Sequence, residues 1–459
     1  MHHLINILPA FIKNNSFINF FYSKIFKRAY LNKQQKVYNL LKQIENLTIT
    51  EKQDIQNELL NNILITSYQN CAYYKKIFNE NNVNLNDPLT FKRIPFLTKD
   101  IVRKNSKEII NCNFKSRNLI SRNTGGSTGE PFEFYSDKLS GAIDNAHHEY
   151  LYNIIGKEKN DIVIGAGGVY LSKRLRNKNI FWKKNNKNNI WSTYDFSVLY
   201  ITDYNINFYV NKLIELKPSI LRGYPSFFDK IASYLLKNNI NLNFKVKGIV
   251  LTAEMCTVEQ RKNIEKAFST LIFFEYGHSE ISVFCYTNDN SYIYKPSPIY
   301  GYVEVVKDDG TDAETGEIGE IIVTGFCNLG MPFIRYRTGD LGEVFSKNGG
   351  IVKLKRIIGR TQDYILSKEN QKVFLTALIF GQHLNAFKKI SKWQIIQNKI
   401  GLVKLKIVKL EGFTKEDEQE IIKKFINAAN IDIEFEYVNF IPATKNGKHL
   451  FLIQNINHD

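Results

Sequence analysis

From residue 118 onward, short β-rich runs take turns with stretches of helical periodicity, and this alternation narrows the fold more than any other feature of the chain. The β-rich runs lie at 132–135, 162–164, 247–251, 271–274, 302–306 and 318–323, with helical patterns at 138–155, 205–215, 225–237 and 257–268. A strand followed by a helix and then another strand re-enters its sheet in parallel, so the pattern predicts an α/β core. Beyond residue 300 the strands crowd together, and Asp309-Gly310 and Asn348-Gly349 mark tight turns. That spacing predicts an antiparallel or barrel-like unit. From Gly359 to the end, one helical stretch at 415–428 lies between strands at 403–408 and 433–440. Residues 35–85 read as helical, with Tyr38, Leu40, Leu41, Ile44 and Leu47, then Ile55, Leu59, Leu60, Ile63 and Leu64, near i, i+3, i+4 spacing. Thr98 is a candidate N-cap for a helix that starts at Lys99. A length of 459 residues suits two or three domains.

Charge and cysteine exclude more than they assign. Lys+Arg 62 against Asp+Glu 45 leave +17, which suits polyanions, anionic lipid head groups or phosphorylated substrates without choosing among them. Heavy use of Asn, Lys and Ile makes compositional drift the simpler source of the excess. The five cysteines, Cys71, Cys112, Cys256, Cys285 and Cys327, are odd in number and widely spaced, with no CxxC pair. A disulfide framework and a thiolate metal site are therefore not expected, and a reducing cytoplasm fits. No apolar run reaches the ~18 residues of a spanning helix. Residues 1–30 alternate apolar positions with Lys13, Lys24, Lys27 and Arg28. They read as an amphipathic helix lying on the protein itself or on a membrane surface, the inner face for a cytoplasmic protein.

Five segments carry candidate chemistry. Thr124-Gly125-Gly126-Ser127-Thr128-Gly129 concentrates glycine and hydroxyl residues, which can turn several N–H and O–H donors toward phosphate oxygens. It is not the GxxxxGK[ST] loop, and an ordinary polar turn is its plain alternative. Tyr276-Gly277-His278-Ser279-Glu280 follows an apolar strand and offers a ring, a hydroxyl and a carboxylate at a strand end. Arg335-Tyr336-Arg337-Thr338-Gly339-Asp340 ends in a carboxylate suited to gripping two ribose hydroxyls. Arg360-Thr361-Gln362-Asp363 follows a strand-like run, and Lys445-Asn446-Gly447-Lys448 places a lysine on a C-terminal loop. Singly, Glu280, Asp340, Arg360 and Lys448 read as ordinary turn or surface charges.

Taken together, the order and separation of these segments resemble the adenylate-forming superfamily of acyl-CoA synthetases, peptide-synthetase adenylation domains and luciferases. Within it the chain is most similar to the phenylacetate–CoA ligase branch and its CapK-like capsule-biosynthesis members. That likeness is carried by Leu221-Arg222-Gly223-Tyr224-Pro225-Ser226, Thr252-Ala253-Glu254 and the run from Gly359 to Leu378, and it spans residues 95–455. The resemblance implies a large domain at 96–358, with mixed and parallel sheets flanked by helices and a β-rich part. A helical region at 1–95 would lead into it, and a small mobile α+β domain would follow at 359–459. It also implies ATP and Mg²⁺. Thr124 to Gly129 would hold the β- and γ-phosphates. Ala253 and Glu254 would border the adenine, with Tyr276 and Gly277 beside it. Ser279 would reach the α-phosphate and Glu280 would bind Mg²⁺. Asp340 and Arg360 would take the ribose, and Lys448 would bridge the substrate carboxylate and the α-phosphate. Gln362 would be the hinge. Gly167, Tyr224 and His278 would line the substrate pocket.

Three departures stand out: Gln362 where Asp or Lys is usual, Phe451 where a basic residue often follows the lysine, and Glu130 in place of a loop lysine. The activity the resemblance implies is adenylation of a carboxylate, such as a uronic or other sugar acid or a nucleotide sugar, and transfer to an amine, such as an amino acid, in surface-polysaccharide (capsule or O-antigen) synthesis. Transfer to CoA as a thioester is the alternative. A basic membrane- or nucleic-acid-binding protein without catalysis is the lesser one; its strongest feature is Lys183-Lys184 near Trp182 and Trp191.

Overall fold

The computed structural model describes residues 30–85, 87–124, 132–186, 189, 191–360, 364–374, 386, 389–444 and 449–456. The expectations placed on residues 1–29, on Gly125 to Gly129, on Gln362 and on Lys448 lie outside the described residues, as do those on the side chains of Thr124 and Arg360.

Three helices open the described chain: α1 (Tyr30–Glu45), α2 (Ile49–Asn70) and α3 (Ala72–Glu80). Thr48 and Glu51 form a reciprocal capping box that starts α2. Helix α4 (Lys99–Ile109) starts where the sequence placed it, with the Thr98 hydroxyl accepting from the Ile101 N–H. Strands β1 (Leu119–Thr124) and β2 (Phe132–Asp137) pair antiparallel, with Thr124 opposite Phe132. Helix α5 (Ser140–Ile154) follows.

The centre is an eight-stranded sheet. Its members in chain order are β3 (Val163–Gly167), β4 (Trp182–Lys184), β5 (Tyr194–Ser197), β6 (Ile220–Gly223), β7 (Gly248–Leu251), β8 (Ile272–Gly277), β9 (Phe284–Tyr286) and β10 (Lys295–Pro296). Their spatial order is β10-β9-β8-β7-β6-β3-β5-β4. The five inner strands run parallel, and β4, β9 and β10 add antiparallel margins. Short helix α6 (Lys173–Arg176) and helices α7 (Ile206–Leu216), α8 (Pro225–Lys237) and α9 (Val258–Phe268) lie between strands. Successive side chains on a strand point to opposite faces, and here both faces are covered. Ile164, Leu221 and Ile249 pack with Tyr209, Phe228, Ile231 and Ile264 from α7, α8 and α9. Val163, Ile220, Val250 and Phe273 pack with Leu151 and Tyr152 of α5. Double coverage explains why these strands read as unbroken apolar runs rather than alternating ones.

A second sheet contains β11 (Gly301–Val306), β12 (Ile318–Gly325), β13 (Tyr336–Asn348) and β14 (Ile351–Arg360), in that order and antiparallel. It packs on residues of α2, α3 and α4. Of the two expectations for this region, the barrel is not realised: β11 and β14 form no ladder, and β11 meets only the turn before β14 by the Val303 N–H to Gly350 O bond (3.1 Å). The last unit pairs β15 (Tyr364–Leu366) with β16 (Lys372–Phe374). Beside them stands a four-stranded sheet of β17 (Ile390–Lys399), β18 (Leu402–Lys409), β19 (Asp432–Tyr437) and β20 (Leu452–Gln454), ordered β19-β18-β17-β20. Helix α10 (Lys415–Ala429) buries Ile421 and Phe425 against Ile395, Val403, Leu405 and Ile407. Among the described residues no helix is long and apolar enough to cross a membrane.

Candidate active site at the ends of the parallel strands

In an open α/β sheet, ligands bind beyond the carboxyl ends of the strands, because the turns there are free of the sheet ladder and can present their side chains. Strands β6, β7 and β8 are neighbours, and they end at Gly223, Leu251 and Gly277. The segments that leave them hold Tyr224, Thr252-Ala253-Glu254 and His278-Ser279-Glu280. Gly223 has φ +152°, and a Cβ there would stand 2.2 Å from the Ala166 carbonyl oxygen on β3. Only glycine permits so close an approach between the ends of these strands. At the end of β3, a Cβ on Gly167 would meet nothing within 4 Å, so space lies open there.

The Tyr276 hydroxyl donates to Asp340 Oδ2 at 2.9 Å, which joins the end of β8 to β13. Burial, reinforced by the Asp340 charge, holds the phenol well above its ordinary range, so it stays a donor. Thr338 Oγ1 accepts from the Asp340 N–H at 3.0 Å, and Arg360 stands opposite Asp340 in the β13–β14 ladder. Gly277 and Ser279 are exposed, whereas Glu280 is buried. Tyr336 donates its hydroxyl to Glu280 Oε1 at 2.9 Å. His278 Nδ1 lies 3.2 Å from Glu280 Oε2, yet neither ring nitrogen makes a well-directed hydrogen bond. The proximity is thus an electrostatic contact rather than a formed bond. Burial works against ionisation of Glu280, but His278 and the Tyr336 hydroxyl outweigh it and bring its carboxyl down to about 2.

Backbone strain gathers at the same place. Ala253 (φ 67°), Ile281 (φ 56°) and Arg335 (φ 46°) all adopt left-handed conformations, each next to a residue of the site. The conformation is costly for a β-branched residue such as Ile281, and strain of this kind concentrates at binding and catalytic centres.

Glu254 links the site to the C-terminal unit. Its Oε2 accepts from the Ser226 N–H at the start of α8 (3.2 Å), and its Oε1 accepts from the His449 N–H (3.0 Å). The His449 ring is held in turn by the Trp393 carbonyl at 2.8 Å, and burial pushes its pKa down to about 4. The residue that follows Lys448 therefore sits against the expected adenine-side carboxylate.

Sequence reasoning missed a buried ion network on the α5 face of the sheet. Arg222 on β6 grips Glu275 on β8 across β7, with Nε to Oε2 at 3.2 Å and Nη2 to Oε1 at 2.7 Å. Glu275 Oε2 also faces His148 Nδ1 at 3.0 Å, and the Thr252 hydroxyl reaches Oε1 at 3.3 Å. His148 Nε2 lies 3.5 Å from Asp144 Oδ1, which accepts from Tyr300 at 2.7 Å. Burial opposes charge on every member, but the partners prevail: Glu275 and Asp144 are held below the usual carboxylate range and His148 above the usual imidazole range. His147 and His148 of α5 are both buried and hydrogen-bonded or ion-paired. The available signal was a charge inside an apolar strand, in Ile220-Leu221-Arg222 and Phe273-Phe274-Glu275.

Among the described residues no three His, Cys, Asp or Glu side chains form a metal cluster. One ionised carboxylate beside an exposed hydroxyl nevertheless fits Mg²⁺, which takes most of its ligands from water and substrate phosphates.

A family model described as the CapK C-terminal domain matches residues 365–455. Protein CapK of Staphylococcus aureus is 31% identical over 424 residues, covering 88% of this chain and 89% of that protein. A phenylacetate-coenzyme A ligase of Thermus thermophilus is 21% identical over 83% of this chain and 86% of its own length. Among solved structures, a 2-hydroxyisobutyryl-CoA ligase in its postadenylation state superposes with a TM-score of 0.70 at 16% identity, over 89% of this chain and 90% of that one. An open conformation of the same ligase gives 0.57.

Proposed function

The chain belongs to the CapK family, and from that premise we propose that it is an ATP-dependent ligase that activates a carboxylate as an acyl-adenylate. The observation that carries the reading is the convergence of Tyr276–Asp340 and Glu254–His449 on the ends of adjacent parallel strands. Tyr276 and Asp340 suit an adenosine, the ring beside the base and the carboxylate on the ribose hydroxyls, with Arg360 opposite. Ala253 and Glu254 flank the adenine. Thr124 to Gly129 take the β- and γ-phosphates. The proposed working units are 1–95, 96–358 and 359–459, with Gln362 at the hinge of the last.

The first step forms a bond between a carboxylate oxygen and the α-phosphorus, and breaks the bond from the α-phosphorus to the bridging oxygen. Pyrophosphate leaves. Both reactants are anions, so their approach must be neutralised and aligned. Lys448 bridges them in this reading, and the Glu254–His449 bond holds its neighbour in place. Ser279 donates to the α-phosphate, where charge grows. Glu280 would hold Mg²⁺, which when bound offsets phosphate charge. The superposition on a postadenylation state supports a domain arrangement suited to this half-reaction.

In the second step an amine attacks the acyl carbon, AMP leaves, and the nitrogen gives up a proton. Amide formation in surface-polysaccharide synthesis, on a sugar acid or nucleotide sugar, is the reading we favour for a CapK relative. A thioester with CoA is the second reading, favoured by the ligase names among the relatives. Pyrophosphate release with ATP and Mg²⁺ across a panel of acids, each with CoA or with amines, tests both. Lys448→Ala should slow adenylation by about 10²–10³-fold while ATP binding persists. Full activity in that variant would remove the lysine's role.

A further inference from the structure

Arg222 has more donors than its partner uses. Glu275 takes Nε and Nη2, and Nη1 makes no hydrogen bond among the described residues. A guanidinium edge that no protein group takes is satisfied by water or by a ligand, and Nη1 is not among the buried atoms left without a partner. The arginine side chain keeps 19% exposure whereas Glu275 keeps 6%. On the β3 side its register partner is Gly165, against which Asp195 and Ser192 stand, and the space opens two residues further along at Gly167, where a Cβ would meet nothing within 4 Å. On its flat face it stacks over Trp191 at 4.7 Å from the ring centroid, and Trp191 lies 3.8 Å from the His148 ring. Its neighbours in sequence lead into the site: Gly223 and Tyr224 after Arg222, Tyr276 after Glu275, and Ala253 and Glu254 after Thr252.

The charges of the network balance. Arg222 and His148 stand against Glu275 and Asp144, and the group nearest to Gly165 beyond them is another carboxylate, Asp195. A second anionic group on the substrate would meet no surplus cation there. An apolar ring would bury Nη1 with nothing to accept from it, which is the costly arrangement. A neutral oxygen satisfies the donor and leaves the balance intact. We propose that Arg222 is a specificity-determining residue of the acyl pocket, and that the acid activated here carries a hydroxyl or carbonyl oxygen, remote from the reacting carboxylate, that accepts from Arg222 Nη1. Glu275 positions the guanidinium, and Trp191 fixes its plane. The inference rests on the adenylation reading above and adds to it the residue that selects an oxygen-bearing acid.

The test uses the full chain and ATP–pyrophosphate exchange on matched acids: hexuronic acids against cyclohexanecarboxylate, and hydroxybutyrates against butyrate, with phenylacetate alongside. The wild type should favour the oxygen-bearing member in kcat/KM by at least about tenfold, since a site built around a substrate oxygen discriminates strongly against its absence. The paired change Arg222→Met with Glu275→Leu replaces the ion pair with apolar side chains of similar size, an exchange that buried pairs often tolerate. It should lower that preference by about tenfold or more. A wild type that favours the oxygen-free acids overturns the inference without any variant, and so does a folded double variant that keeps the original preference. A wild type that exchanges pyrophosphate with no acid in the panel removes the ligase reading itself, and this inference with it.

Discussion

In the proposed role Asp340 serves a ribose only if its carboxylate is held still, and the Tyr276 phenol helps to hold it. Tyr276 remains protonated because burial and the neighbouring negative charge both oppose its ionisation, so the donor to Asp340 Oδ2 persists at any working pH. Tyr276→Phe keeps the ring and removes the donor. A lost hydrogen bond to a charged acceptor costs roughly 1–3 kcal/mol. The KM for ATP should therefore rise about tenfold with kcat changed much less, as read from pyrophosphate release over a range of ATP concentrations. An unchanged KM would show that Asp340 needs no help from the tyrosine.

Strands β3, β7 and β8 were legible in the sequence because α5 covers one face and α7 to α9 the other, which leaves apolar runs with no solvent-facing gaps; β6, four residues long and carrying Arg222, was not. Helix α4 was legible because its Thr98 cap is a local contact, three residues from the N–H it satisfies. Long-range pairings were not. Arg222 meets Glu275 across an intervening strand, and no local pattern encodes which strands are two apart. Sheet and barrel could not be separated for β11 to β14, since closure depends on whether the outermost strands form a ladder. The site motifs were recognisable through their order along the chain. Glu254 was expected beside adenine, and its contact with the His449 N–H emerged only in three dimensions. That contact joins the start of α8 to the segment before β20. Glu254→Ala should free both N–H groups. Hydrogen exchange at the His449 amide should quicken, and adenylation should fall about tenfold through poorer alignment of Lys448. Glu254→Gln, which keeps an acceptor oxygen, should recover part of both. If exchange at His449 is unmoved in the alanine variant, the carboxylate is not what secures this segment.

Helix α5 connects the central sheet with α1 and the start of β11, and it carries two adjacent histidines with opposite electrostatics. His147 donates from Nδ1 to the Ile143 carbonyl and accepts at Nε2 from Ser297, both at 2.8 Å. Burial is the leading cause that lowers its pKa to about 4; His148 adds to this, and Ile143 and Asp144 only partly counter it. The unfolded chain binds a proton on this residue below its ordinary value near 6.5, and the native chain does so only near 4. Native stability must then decline as pH falls through that interval. His449 shifts in the same direction. His148, raised by Glu275 and Asp144 against its burial, contributes in the opposite sense: its stabilisation is complete below the unfolded value and fades as pH rises through the folded one. The acid limb from pH 6.5 to 4 thus draws on His147 and His449 and is opposed by Asp229, whose carboxyl burial raises to about 6. Glu280, at about 2, extends that decline below the ordinary glutamate range. From pH 7 to pH 5, His147 alone should account for about 2 kcal/mol of lost unfolding free energy. His147→Gln is expected to lower stability at pH 7 by removing buried contacts, so the informative quantity is the slope. Urea denaturation at half-unit steps should show the variant losing about 2 kcal/mol less than the wild type between pH 7 and 5. Parallel curves for the two proteins would mean that the native state protonates His147 as readily as the unfolded chain does.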